Sequence, residues 1–358
     1  MAKVRVLITD DSAAARAIIR DLLETGGIEV VGEAANGLEA VALAKTLRPS
    51  LITMDLEMPQ MDGFAAIRQI MSEMAIPILV VSSQADAEKG FRAISSGALE
   101  VIAKPDISDG KQFCDKVEKL SEVLVIRHIR QHQKPLANCA AEPRPTPIAV
   151  TDKPTTRDKI ATQVTALGTS RPVFVIACST GGPQALETIL KELPAEFAHP
   201  VIIAQHIAKG FAEGMVNWLQ ALCKIPVRLA TDREPVLPGV IYIAPPEYRV
   251  AVNAQRQIAL TGDNAKDIYH PSCDHLLNSC AAHYGNRVVG IILTGMGRDG
   301  VEGMRHIQLA GGDTIAQDEA SSVIYGMNRL AIEAGVVKEI LPLNMIARAI
   351  IRRSLRST

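Results

Sequence analysis

Short runs of aliphatic and β-branched residues recur along this chain, each closed by glycine or by polar residues. In the first third they fall at residues 3–9, 28–34, 51–55, 76–82 and 99–103, and a helical pattern follows each. Later runs are Val173-Phe-Val-Ile-Ala177, Val201-Ile-Ile-Ala204 and Val288-Val-Gly-Ile-Ile-Leu293. Runs this short and this apolar predict strands buried on both faces. Between them Gln184 to Leu193 and Ala212 to Leu222 carry helical spacing. Strands alternating with helices predict βαβ units, hence an α/β protein of doubly wound, mostly parallel sheets. The pattern breaks after about Ile126. The polar run Arg127-His-Ile-Arg-Gln-His-Gln-Lys134 is followed by Pro135, Pro143, Pro145, Pro147 and Pro154 among Thr, Lys and Asp. Such a composition buries too little surface to offset its ordering entropy, so it reads as a linker. Folding restarts at Arg171, which predicts two domains, 1–122 and 171–358, joined by residues 123–170.

Composition narrows the classes. A net charge of −1 with 22% charged residues gives no electrostatic reason to expect nucleic acid or an anionic membrane surface. No run approaches the roughly 18 apolar residues of a membrane helix, so no membrane insertion is expected. The first residues lack the apolar core and cleavage site of a secretory signal. Six cysteines lie scattered without paired spacing, which suits free thiols in a reducing cytoplasm. Aromatics make up only 3% of the chain, so the cores must be aliphatic.

In a parallel sheet every strand's carboxyl end lies on one edge, and crevices for chemistry form there. Asp10 and Asp11 end the first strand, Asp55 the third and Ser82 the fourth, while Lys104-Pro105 ends the fifth. Clustered carboxylates repel one another, and a hard cation such as Mg²⁺ relieves that repulsion. With the Lys104 ammonium opposite, such a pocket can accept a phosphoryl group on one carboxylate. The second half brings a hydroxyl, an imidazole and a carboxylate to its own edge. Ser179, His206 and Asp299 each follow an apolar run. They are the parts of a nucleophile, base and orienter system, in a chain order unlike the Ser, Asp, His of common hydrolases. In Cys178-Ser-Thr-Gly-Gly-Pro183 the glycines permit a tight turn and Pro183 suits a first helical turn, so Ser179 is expected near a helix N-terminus. Thr180 and the Leu293-Thr-Gly-Met-Gly-Arg-Asp-Gly300 turn are candidate donors to an oxyanion.

Two other patterns compete. Gly295, Gly297 and Gly300 form a literal G-x-G-x-x-G after a strand, with Asp318 at about the spacing of a dinucleotide fingerprint, which suggests a nicotinamide-dependent oxidoreductase. That reading leaves Ser179 and His206 without a role. His270, Cys273, His275, Cys280 and His283 crowd one segment, but their spacing matches no standard zinc site, and the residues after Pro271 read as a helix.

Two resemblances follow from these motifs. Asp10-Asp11, the run Met54-Asp-Leu-Glu-Met-Pro-Gln-Met-Asp-Gly63, Ser82-Ser83 and Lys104-Pro105 resemble the response-regulator receiver domain over its whole length. The resemblance implies a flavodoxin-like fold with Asp55 as phosphoacceptor. Asp10, Asp11, Asp55 and the Glu57 carbonyl would hold Mg²⁺, Ser82 would be the switch hydroxyl, and Lys104 would contact the phosphoryl group. Val101 stands where many receivers carry an aromatic residue. From Arg171 onward the chain is similar to the catalytic domain of the chemotaxis protein-glutamate methylesterases (CheB). The similarity is carried by Cys178-Ser-Thr-Gly-Gly-Pro183, Gln205-His206, Tyr242-Ile-Ala-Pro-Pro246, Leu293-Thr-Gly-Met-Gly-Arg-Asp-Gly300 and the run Thr314 to Met327. It implies a Rossmann-like domain with Ser179 as nucleophile, His206 as base, Asp299 as orienter, and Thr180 and Met296 near the oxyanion, with no cofactor for the esterase. The expected activity is phosphorylation-activated removal of methyl esters from glutamates of methyl-accepting chemotaxis receptors, with glutamine deamidation beside it and a chemotaxis-type histidine kinase as phosphodonor. Cys178 replaces the family's usual Ala, His270 replaces the Arg of an Arg-Pro-Ser-Val-Asp motif, and Glu247-Tyr-Arg249 follows Pro-Pro where Gly and His are usual. A non-enzymatic response regulator with a nucleic-acid-binding second half is the other class, but no basic recognition helix is present in that half.

Overall fold

A computed structural model describes residues 3–83, 87–106, 110–123, 171–262 and 269–355. The segment read as a linker lies outside these residues except for Val123. The first domain alternates strands β1 (Arg5–Thr9), β2 (Glu29–Ala34), β3 (Leu51–Met54), β4 (Ile78–Ser82) and β5 (Glu100–Ala103) with helices α1 (Ala13–Thr25), α2 (Gly37–Leu47), α3 (Gly63–Glu73), α4 (Ala87–Ser95) and α5 (Gly110–Ser121). The strands run parallel in the order β2-β1-β3-β4-β5, the doubly wound order expected. Ser12, Asn36 and Asp62 start α1, α2 and α3, each accepting a backbone N–H of the first turn and so satisfying one of the donors a helix start leaves free.

The second domain is a seven-stranded parallel sheet of β6 (Val173–Cys178), β7 (Val201–Gln205), β8 (Val227–Leu229), β9 (Ile241–Ile243), β12 (Val288–Ile292), β13 (Asp313–Gln317) and β14 (Glu339–Leu341). A separate antiparallel pair comprises β10 (Tyr248–Val252) and β11 (Ile258–Gly262). The helices are α6 (Gly182–Leu190), α7 (Ala212–Leu222), α8 (Cys273–Tyr284), α9 (Val301–Leu309), α10 (Met327–Glu333) and α11 (Leu343–Ser354). Sheet order is β14-β13-β12-β6-β7-β9-β8, so the chain winds one way from β6 and then returns to its other side at β12. The crevice outside β6 and β12 is therefore the topological switch point, where such folds place ligands. Every residue of β6, β7 and β12 is buried, which is why these strands read as unbroken apolar runs.

The two domains are in contact. Helix α4 of the first packs on α7 of the second, with Phe91 stacked on Trp218 at 5.7 Å between ring centroids. Gly214 of α7 meets the α4 backbone so closely that a Cβ there would lie 2.7 Å from Glu88 N and 2.8 Å from Ala87 Cβ. The Ser95 hydroxyl donates to Glu187 at 3.1 Å. The Lys119 ammonium of α5 touches the Met296 sulfur, and Val323 packs against the core of the first domain.

Candidate active site

The first cluster lies at the carboxyl edge of the five-stranded sheet. One oxygen from each of Asp10, Asp11 and Asp55 falls within 4.8 Å of the others. Lys104 donates to Asp10 at 2.7 Å and to Asp55 at 3.2 Å. Burial pushes the Asp55 carboxyl above its usual value, the Asp10 charge adds to this, and Lys104 opposes both. Ser82 is buried at the end of β4, its carbonyl accepting from Lys104 N at 3.0 Å. The Glu57 side chain turns away, exposed and paired with the Lys89 ammonium. Acid-rich, oxygen-only and partly offset by one ammonium, this donor set fits a hard divalent cation.

The second cluster is built by strand register. Cys178 of β6 pairs with Gln205 of β7, so the residues one step beyond, Ser179 and His206, leave the sheet side by side. His206 N donates to Cys178 O at 3.0 Å, and Ser179 N to Thr294 O at 3.1 Å, tying all three strand ends together. The Gln205 amide donates to both Ser179 O at 2.9 Å and His206 O at 2.8 Å. Asp299 arrives from the turn between β12 and α9. Its Oδ2 lies 2.8 Å from His206 Nε2, and it also accepts from Cys273 N at 2.6 Å and Asp274 N at 2.9 Å. Burial alone would raise the Asp299 carboxyl. The His206 bond and charge and the two backbone donors outweigh it and hold the group below its usual value.

Nε2 faces the carboxylate, so Nδ1 is the imidazole nitrogen left for the serine. No hydrogen bond joins the Ser179 hydroxyl to the ring among the described residues; such bonds commonly tighten only when substrate binds. The turn after Ser179 has Gly181 at φ +77° and Pro183 in the first turn of α6, as the Gly-Gly-Pro motif predicts. Gly295 is a packing glycine, since a Cβ there would sit 2.7 Å from the Ser179 Cβ and 2.5 Å from the Met327 sulfur. Gly295→Ala should therefore shift the serine and lower kcat by about 10²-fold, the cost of roughly 1 Å of misplacement, while KM changes less; steady-state kinetics checks this.

The G-x-G-x-x-G glycines thus shape a turn that packs on Ser179 and presents Asp299. The crowded Cys/His segment is dispersed by α8, with Cys280 fully buried in the core. Cys273 Sγ instead lies 3.4 Å from His206 Nε2.

Four contributors carried no assigned role in the sequence, although Gln205, Gln317 and Asp274 stood within its motifs. Tyr269 stacks on the His206 ring at 5.0 Å with planes 13° apart. Asp274 takes Gly300 N at 2.9 Å and Gly303 N at 2.7 Å, fixing the turn that carries Asp299. Gln205 and Gln317 lock adjacent strand ends, the latter accepting from Thr294 N at 2.9 Å. An amide closing an otherwise apolar strand was a usable signal for both glutamines. Tyr269 had none, because nothing in its neighbourhood is periodic.

Residues 174–350 match the family described as CheB methylesterase, and residues 6–118 match the response regulator receiver domain. A protein-glutamate methylesterase/protein-glutamine glutaminase of Paramagnetospirillum magneticum is 44% identical over 98% of this chain and 96% of its own length. Another from Myxococcus xanthus is 39% identical, covering 96% and 95%. Among solved structures, the CheB methylesterase catalytic domain of Thermotoga maritima is 33% identical with a TM-score of 0.50, covering 51% of this chain and 98% of that one.

Proposed function

We propose, for a chain that belongs to the CheB methylesterase family and carries a response-regulator receiver domain, that it hydrolyses glutamate methyl esters on chemoreceptors and deamidates receptor glutamines under phosphorylation control. The observation that carries this reading is the strand register that sets Ser179 beside His206, with Asp299 bonded to the imidazole at 2.8 Å. Ser179 Oγ attacks the γ-carbonyl while His206 Nδ1 takes its proton. Asp299 holds the ring through Nε2 and stabilises the imidazolium. The backbone N–H groups of Thr180, next to the serine in the chain, and of Met296, next to the Gly295 that packs on it, make no backbone hydrogen bond among the described residues, which suits them to the oxyanion. As the tetrahedral intermediate collapses, the imidazolium gives its proton to the departing methoxide oxygen, or to the amide nitrogen of a glutamine, and methanol or ammonia leaves. Water, deprotonated by the same ring, then releases the acyl group.

In the receiver, Asp55 accepts the phosphoryl group of a chemotaxis-type kinase. Asp10, Asp11 and Asp55 would hold Mg²⁺ with the Glu57 carbonyl, and the ion supplies charge neutralisation for phosphoryl transfer. Lys104 and Ser82 face that group. Val101 of β5 lies against Gly90 of α4, so close that a Cβ on Gly90 would be 2.5 Å from Val101 Cγ2. A shift of β5 on phosphorylation therefore presses on the helix that carries Phe91 onto Trp218. Docked, the receiver sits on the rim of the serine crevice at Met296 and Val323 and restrains the enzyme. Free thiols at all described cysteines support a reducing cytoplasm; no described helix is long and apolar enough to cross a membrane.

Methanol release from methylated receptor, with and without a small phosphodonor, tests the reading. The phosphodonor should raise the rate in the parent, and Asp55→Asn should keep the basal rate and lose the rise. A parent that releases no methanol in either condition would sink the assignment. Gly214→Leu wedges the α4–α7 contact, where Ala87, Phe91, Met215 and Trp218 are buried together. Overpacking costs roughly 1–3 kcal/mol, so the basal rate should rise by about tenfold toward the phosphorylated rate. An unchanged basal rate in this variant would remove the restraint model.

A further inference from the structure

We propose that His206, Cys273 and Asp299 form a site for a thiophilic divalent cation, Zn²⁺ above all, whose binding arrests the esterase. Imidazole Nε2, thiol Sγ and carboxylate Oδ2 are three of the ligand types zinc takes, at roughly 2.0–2.3 Å each. One ligand atom from each residue lies within 4.8 Å of the others. Two edges of that triangle are 3.4 Å, Sγ to Nε2, and 2.8 Å, Nε2 to Oδ2. Ligand atoms around tetrahedral zinc stand about 3.3–3.8 Å apart, so the His206–Asp299 edge must open by about half an ångström, while the Cys273–Asp299 edge lies within 4.8 Å.

The surroundings favour a buried site of three protein ligands, with water in the fourth position. Cys273 is fully buried and Asp299 nearly so, while the His206 side chain retains 12% exposure and provides the entry. Backbone donors from Cys273 and Asp274 already orient the carboxylate, as partners outside the ligand shell do in zinc proteins. The cysteine is placed on the first residue of α8 by the Ser272 cap, and its thiol has no part in the ester chemistry. Charge closes as well. A thiolate and a carboxylate balance Zn²⁺ and leave no net charge in a buried place.

Binding breaks the Sγ–H bond, and that proton leaves to solvent. The imidazole proton moves from Nε2 to Nδ1 as Nε2 takes the metal, and no electron is transferred. With Nε2 on the metal and the ring proton on Nδ1, neither imidazole nitrogen has a free lone pair, so the ring cannot accept the serine proton. The cation thus occupies the place of the proton shared by His206 and Asp299 and abolishes the base.

The inhibition arm rests on the catalytic roles proposed for His206 and Asp299, whereas a spectral arm does not. The full chain, in excess Mg²⁺ to fill the receiver carboxylates, is titrated with Zn²⁺ while methanol release is followed, and separately with Co²⁺ while near-ultraviolet absorption is recorded. One Zn²⁺ per chain should stop hydrolysis, a chelator should restore it, and Co²⁺ should give a thiolate-to-metal charge-transfer band. Cys273→Val and Cys273→Ser, each scaled to its own metal-free rate, should lose the band. Both should need at least the tenfold to hundredfold more Zn²⁺ that loss of even an outer-shell partner demands, roughly. No cobalt–thiolate band in the parent, or a band and Zn²⁺ sensitivity unchanged in both variants, overturns the site. Should one variant fail to fold, the other and the parent's own band and stoichiometry still decide. A parent inactive without metal but showing a Cys273-dependent band would refute the esterase assignment and leave the site standing.

Discussion

Ser179→Ala is expected to lower methanol release by roughly 10⁴- to 10⁶-fold, the range found when a hydrolase loses a nucleophile that acts as one unit with its base. The fold should survive. The Ser179 backbone is fixed by its N–H to Thr294 O, and Gly182 N donates to Ser179 O at 2.7 Å. The hydroxyl makes none of these bonds, so its removal leaves the turn in place. Receptor binding should persist as well, because the loss concerns bond formation and not the docking surface. Rates of methanol release and receptor affinity measured on one preparation separate the two quantities. Near-normal turnover in Ser179→Ala would remove the nucleophile assignment outright.

Asp299→Asn should be nearly as damaging, for a different reason. Every neighbour of this carboxylate is a donor: Cys273 N, Asp274 N, the Ser272 hydroxyl at 3.4 Å and the imidazole Nε2–H. An amide of the same shape has one acceptor oxygen, and its NH₂ must confront at least one backbone donor, Cys273 N or Asp274 N. The clash costs about 1–3 kcal/mol of stability per unsatisfied buried group. It also turns the imidazole to the wrong tautomer, which is expected to cost about 10⁴ in kcat. Thermal unfolding and kcat should therefore fall together, whereas Ser179→Ala should leave unfolding unchanged. The wild-type carboxyl is held below its usual value. A depressed folded pKa means stability that is present above the unfolded value and lost as pH falls through the folded one. The stabilisation carried by Asp299 should thus persist through the neutral range and fade only below the ordinary aspartate pKa of about 4. Asp299→Asn should show no such acid loss at this site. Unfolding midpoints of both proteins between pH 3 and 7 check the sign.

The parallel sheets were legible because burial on both faces leaves an unbroken apolar run, and β6, β7 and β12 are buried at every residue. Helix α7 matched its predicted bounds, while α6 begins two residues before Gln184, at Gly182, because Gly181 in the left-handed region lets the turn close directly on the serine. Ser179, His206 and Asp299 were legible through their position past apolar runs, as were the aspartates of the receiver. The supporting residues were not. Tyr269 and Asp274 act through contacts with residues far along the chain, and local pattern carries no information about such partners.

The sequence by itself determined the parallel α/β class, through the five strands of the first domain and β6, β7 and β12 of the second, and the family, while β8, β9, β10, β11 and β14 were not read. These depend on burial and on residue type, which act locally and leave a periodic trace. Only the tertiary structure decided which imidazole nitrogen meets Asp299, that Gly295 of the dinucleotide-like motif packs against Ser179, that Cys273 turns to His206, and that α4 docks on α7 through Phe91 and Trp218. Each of these is a contact between groups brought together by sheet register or by domain packing. Ring orientation and side-chain proximity across strands depend on the relative placement of whole elements, and no single segment encodes that placement.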